Sequence, residues 1–149
     1  INRGAWDEYF QPHAMGCRTN MLFYSYWDNF IDKTWPDNIH PGTVYKVHTG
    51  KKRRDWNHSV EPNFTVPLEW LDYLSITVDA PKATTGLVAL HCLAQWNVKT
   101  VGIFGFDWKQ TQTFYAPDRV KGDEKHNYPA EKEYIQRHYV EELGYRIWK

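Results

Sequence analysis

The stretch PKATTGLVALHCLAQWNVKTVGIFG, Pro81–Gly105, decides how this chain is read. Leu87–Trp96 is apolar nearly all round, broken only by His91 and Gln95. A helix without a polar face is buried, as one packed on a sheet is. Thr84 or Thr85 supplies its N-cap and Asn97 closes it. After it, Lys99–Gly105 is a short apolar run of the kind that forms a central parallel strand. Before it, Ser75-Ile-Thr-Val78 reads as a brief strand. Strand, helix, strand in this order implies a right-handed crossover.

Upstream, residues 63–74 predict a short helix begun around Pro67, with Leu68, Leu71 and Leu74 on one face. Thr43–His48 alternates and is β-branched, which predicts a strand, as does the aromatic-rich run 20–26. Residues 27–42, with Pro36, Pro41 and Gly42, read as a loop or a short irregular helix. Downstream, Asp107–Tyr128 is polar and irregular for roughly 20 residues, a length that is uncommon in a loop without a function. Pro129 then opens a helix with Glu131 and Glu133 in its first turn. Tyr134, Ile135, His138 and Tyr139 form its stripe, Gly144 its C-cap, and Tyr145–Trp148 a last strand. The pattern is α/β in a single domain, 1–149, without internal repeats.

Composition narrows the functional classes. With 18 basic and 18 acidic residues the formal net charge is zero, so no general attraction to nucleic acid or anionic membrane is expected. The run Lys51-Lys-Arg-Arg54 is a local exception, either a solvated loop or a phosphate contact. No apolar stretch reaches the length of a membrane span, and no signal peptide is recognisable. Aromatic residues make up 17% of the chain, including eight Trp. Such rings supply core area and also stack on the apolar faces of sugars. Cys17 and Cys92 cannot make a four-thiolate zinc site, and two buried thiols in a reducing compartment is the reading adopted, although one disulfide is also possible. The chain begins on Ile1-Asn2-Arg3 without Met, which points to a segment upstream.

Four clusters carry the chemistry: Asn2 with Gly16-Cys-Arg-Thr19, Thr84-Thr85-Gly86, Gly105-Phe-Asp-Trp108, and His126 in His-Asn-Tyr-Pro-Ala-Glu131. Thr84–Gly86 opens a helix, where backbone N–H groups favour anions, and ordinary capping is the plainer alternative. Gly105–Trp108 ends a strand at a carboxyl edge, where open α/β sheets bind ligands. His126 has an ordinary pKa near 6.5, so a neutral base exists at pH 7. Glu131 either tunes it or favours the helix start. Asp107 lacks the second carboxylate of an Asp-x-Asp metal site, and the other histidines show no ligand spacing, so no metal is expected. His91 reads as a satisfied core residue.

In these pieces the chain resembles the sialyltransferases. INRG with GCRTN is similar to the second half of the large sialyl motif, Pro81–Asp107 to the small motif, and HNYPAE to the very small motif, His-x4-Glu. The bacterial lipooligosaccharide sialyltransferases show a parallel order, met here by Thr84–Gly86, Gly105–Trp108, Tyr115-Ala-Pro-Asp118 and His126. The resemblance implies a Rossmann-like, mainly parallel sheet flanked by helices, lacking its N-terminal strand and loop. It implies a metal-independent inverting transfer, without a cofactor, of sialic acid from CMP-sialic acid to a glycan acceptor hydroxyl. His126 would be the base and Tyr115 would donate to the leaving phosphate. Asn2, Thr84, Thr85, Gly86, Asp107 and Lys109 would bind substrate. Lys109 replaces a family Tyr, and the family disulfide is not reproduced by Cys17 and Cys92. Another nucleotide sugar, or a non-catalytic module binding glycan or protein, are the alternatives. A bacterial or viral cytoplasm is expected rather than a Golgi lumen.

Overall fold

The computed structural model describes residues 21–24, 45–50, 63–106, 108 and 125–148. The chain divides into two compact units, Ile1–Leu68 and Glu69–Lys149.

In the first unit, strands β1 (Met21–Tyr24), β2 (Tyr45–His48) and β3 (Phe64–Thr65) form a parallel sheet in that order. Phe23 pairs with Val47, and Val47 with Phe64. Phe23 and Val47 are buried, and Val66 N–H donates to His48 O just beyond the ladder. Two of the three strands were expected from their alternation; β3 is too short to show any.

The second unit packs helices against a parallel pair of strands. Helix α1 (Leu68–Thr77) buries Leu71, Leu74 and Ser75. The strand expected at Ser75–Val78 does not form, because α1 runs through it. Leu71, Leu74, Ser75 and Val78 recur at helical spacing and are buried, whereas Ile76 between them is 79% exposed. The β-branched Thr77 is accommodated by donating its hydroxyl to Tyr73 O, one turn back. A Schellman motif then stops the helix: Asp79 has φ +47°, Asp79 N–H donates to Ile76 O and Ala80 N–H to Ser75 O, with Pro81 following.

Helix α2 (Thr85–Gln95) is buried continuously from Leu87 to Cys92, as its lack of a polar face demands. Thr84 is the N-cap, extended at φ −66° and ψ 154°. The other end repeats the Schellman pattern, with Asn97 at φ +58°, Asn97 N–H on Ala94 O and Val98 N–H on Leu93 O. Strand β4 (Gly102–Phe104) is shorter than the Lys99–Gly105 run, and it buries only Ile103 while leaving Phe104 69% exposed. It pairs in parallel with β5 (Arg146–Trp148), Phe104 opposite Trp148, their rings stacked 5.9 Å apart.

Between these strands runs α3 (Tyr128–Tyr134), capped by the Asn127 side chain, which accepts from Ala130 N–H. It continues without a break as a π-helix, Ile135–Glu142, where Leu143 N–H reaches back to His138 O. Ile135 and Tyr139 are buried within it, and Gly144 turns the chain at φ +74° into β5. His91 is a core residue, with the Tyr139 hydroxyl 3.3 Å from its Nδ1. Burial lowers its pKa, and the nearby His138 lowers it further. Cys92 is a free, fully buried thiol pushed up to about 12 by that burial. Among the described residues no helix is long and apolar enough to cross a membrane.

Candidate functional site

Three chain segments of the second unit meet at the start of α2: the cap region Lys82–Gly86, the turn after β4, and the segment Lys125–Glu131. Each arrives there for a local reason. Asn97 ends α2 so that the chain can return as β4, and Gly105, at φ +71°, bends it immediately after that strand. A left-handed residue here suits glycine alone among ordinary choices. The bend brings Phe106 against Gly86, so closely that a Cβ on Gly86 would lie 2.6 Å from Phe106 Cζ. Gly86 therefore gives the helix start its close approach to the carboxyl end of β4.

The segment before α3 is laced to the cap region. Lys82 N–H donates to Lys125 O at 3.2 Å, and His126 Nδ1 lies 2.7 Å from Lys82 O. A carbonyl oxygen can only accept, so His126 Nδ1 carries the proton. In a neutral ring the lone pair is then on Nε2. Asn127 Nδ2 donates to Asp79 O at 3.5 Å. The His126 ring is half-buried and stands 5.7 Å from that of Tyr128.

Glu131 completes the junction. Its carboxylate accepts from Thr84 N–H at 2.8 Å and from the Thr84 hydroxyl at 2.6 Å, and the residue is only 2% exposed. Thr84 Oγ1 at the same time accepts from Leu87 N–H at 3.2 Å. One carboxylate thus serves two helix starts, lying in the first turn of α3 and against the N-cap of α2. Burial raises the Glu131 carboxyl above its ordinary value, while the two bonds from Thr84 and the charge of His126 pull it down.

The structure brings together His126, Thr84, Thr85 and Gly86 among the residues singled out in the sequence. Thr84 spends its N–H and its hydroxyl on Glu131, which makes it the clamp of the junction. Asn2, Asp107, Lys109 and Tyr115 lie outside the described residues, as do Cys17 and the basic run 51–54. Trp108, which follows Asp107, adopts φ +51°, with the Lys132 ammonium 5.3 Å from its ring centroid. Two participants were not named as site residues. Glu131 was visible as the end of His-x4-Glu, but its reach to Thr84 is tertiary. The Lys82 carbonyl is a backbone group, which residue types cannot announce.

The arrangement can accept a proton at His126 beside a helix start and a strand end. Among the described residues no group of three or more His, Cys, Asp or Glu side chains could hold a metal ion. No family model, curated protein or solved structure matches the chain.

Proposed function

We propose that this chain is a glycosyltransferase that moves a sugar, sialic acid from CMP-sialic acid by resemblance, onto an acceptor hydroxyl. The observation that carries the proposal is the hydrogen bond from His126 Nδ1 to Lys82 O, two residues from the N-cap of α2. It supports a base with its lone pair on Nε2, beside a helix start of the kind that receives anionic groups. The acceptor proton passes to Nε2, the acceptor oxygen bonds to the anomeric carbon, and the bond to the phosphate breaks with inversion. CMP is the leaving group. Tyr115 would donate to its phosphate, while Asn2, Asp107 and Lys109 would contact donor or acceptor, roles that rest on the resemblance to the sialyltransferases. A Rossmann-like sheet belongs to the same proposal, consistent with the parallel pairing of the described strands.

The test is CMP release from CMP-sialic acid in the presence of glycan acceptors. His126→Ala is expected to abolish release without changing the melting temperature; full activity in that variant would end the proposal. Calorimetry with CMP, UDP and GDP identifies the nucleotide, and a preference for UDP or GDP would move the reading to another nucleotide sugar. A second reading, a glycan-binding module without catalysis, is favoured by the exposed stacked rings of Phe104 and Trp148 on one face of β4 and β5. It requires that an oligosaccharide raise the melting temperature while CMP leaves it unchanged.

A further inference from the structure

The hydrogen bonds joining residues 79–84 to residues 125–131 do more than close a loop. From them we infer that Glu131 is a positioning residue: by clamping Thr84 it holds the Lys82 carbonyl against His126 Nδ1 and so selects the ring tautomer that leaves Nε2 as the base. The inference rests on the proposed function for its catalytic meaning, but its physical content is independent of activity.

Imidazole in water prefers the opposite tautomer, with the proton on Nε2. Keeping the proton on Nδ1 needs an acceptor fixed in the ring plane, and Lys82 O, 2.7 Å away, is one. That carbonyl is held from both sides. Lys82 N–H is tied to Lys125 O next to the histidine, and Thr84 is tied by its N–H and its hydroxyl to Glu131. Asn127 N-caps α3 through its Oδ1 while its Nδ2 reaches Asp79 O, so the cap segment and the histidine segment are fastened on both flanks of His126. Glu131 is the only charged acceptor named in this lacing, and both of its oxygens are engaged. A charged, doubly engaged acceptor is stronger than a neutral one and fixes orientation as well as distance.

Glu131→Gln keeps the shape but changes the fit. Its amide oxygen can still accept from Thr84 N–H, whereas its amide nitrogen faces a hydroxyl that must turn its hydrogen away. Thr84→Val removes the hydroxyl, and Thr84→Ser restores it. The primary measurement is the ring 15N spectrum of histidine-labelled protein, with the His126 signals assigned from their absence in His126→Ala. The full chain is expected to show His126 protonated at Nδ1 at neutral pH. Glu131→Gln and Thr84→Val are expected to show averaged ring nitrogens, and Thr84→Ser the parent pattern. Where transfer is measurable, kcat should fall on the order of 10²-fold in the first two variants with little change in KM, the scale expected from a small misplacement of a reacting group.

A parent protein with His126 protonated at Nε2 overturns the inference. So does a folded Glu131→Gln that keeps the Nδ1-protonated pattern, even if it has lost activity. Should Glu131→Gln fail to fold, the contrast between Thr84→Val and Thr84→Ser decides in the same terms. An inactive parent protein that shows the expected tautomer and its loss would instead count against the transferase proposal alone.

Discussion

Replacing Thr84 with Ala removes a hydroxyl that makes two bonds at once, and the cost follows from the geometry. The first bond, from Leu87 N–H to Oγ1, is the N-cap of α2. Losing a Thr cap costs about 1 kcal/mol. The second, from the hydroxyl to Glu131 Oε2 at 2.6 Å, satisfies a carboxylate that is 2% exposed. A hydrogen bond to a buried charged group contributes roughly 1.5–3 kcal/mol. Together they predict a loss of about 3 kcal/mol near pH 8, which for a chain of this size lowers the melting temperature by roughly 6–12 °C. The pH dependence has a definite sign. Because burial raises the Glu131 pKa, folding favours the protonated carboxyl. That contribution is fully present below the unfolded value of about 4.3 and is lost as pH rises through the folded value. Removing the Thr84 hydroxyl takes away a group that holds the carboxyl down, so the variant loses more at high pH than at low. Urea unfolding at pH 8 and pH 4 measures both quantities. At pH 4 the difference should shrink toward the cap's own contribution of about 1 kcal/mol. A loss at pH 8 below about 1 kcal/mol, or a larger loss at pH 4, would refute the reasoning.

Gly86→Ala should push the Phe106 ring aside rather than unfold α2, because the Cβ meets the tip of a side chain and Ala favours helix by up to about 1 kcal/mol. The melting temperature is expected to hold or rise while nucleotide affinity measured by calorimetry falls. His91 is neutral and buried in the folded protein with its pKa lowered, so the stability it contributes is present above about pH 6.5 and is lost as pH falls below that value. The urea midpoint should therefore drop between pH 7.5 and 5.5, and His91→Gln should flatten the part of that slope due to this residue. Cys92, with its thiol at about 12 and no exposed surface, should resist iodoacetamide at pH 8 in the native protein and react once urea unfolds it, as read by intact mass.

The second unit was the more legible in the sequence, because its signals are local. An apolar run behind Thr-Thr-Gly announced α2 and its cap, and Asn97 and Gly144 marked ends that the backbone does make at positive φ. Failure came where local and tertiary preferences diverge. Ser75–Val78 has strand-forming residues, but Leu71, Leu74 and Val78 all face the core, and that spacing keeps the segment helical. The site was half legible. His126 and Thr84–Gly86 were found by residue type, and the helix start and the histidine do meet. The means of their meeting was not visible, since it depends on a carbonyl at Lys82 and on a carboxylate reaching across 47 positions to Thr84.

The π-helical stretch Ile135–Glu142 has a consequence for how this protein can change over time. A wider helix is a shorter one for the same number of residues, so the segment behaves as a stored insertion. Losing a single residue there would let ordinary α turns return, rotating everything beyond by about 100°. Tyr139 would leave its place beside His91, and β5 would reach Phe104 with the wrong face. The length of this segment is thus under tighter constraint than its composition, and substitutions should accumulate where deletions cannot.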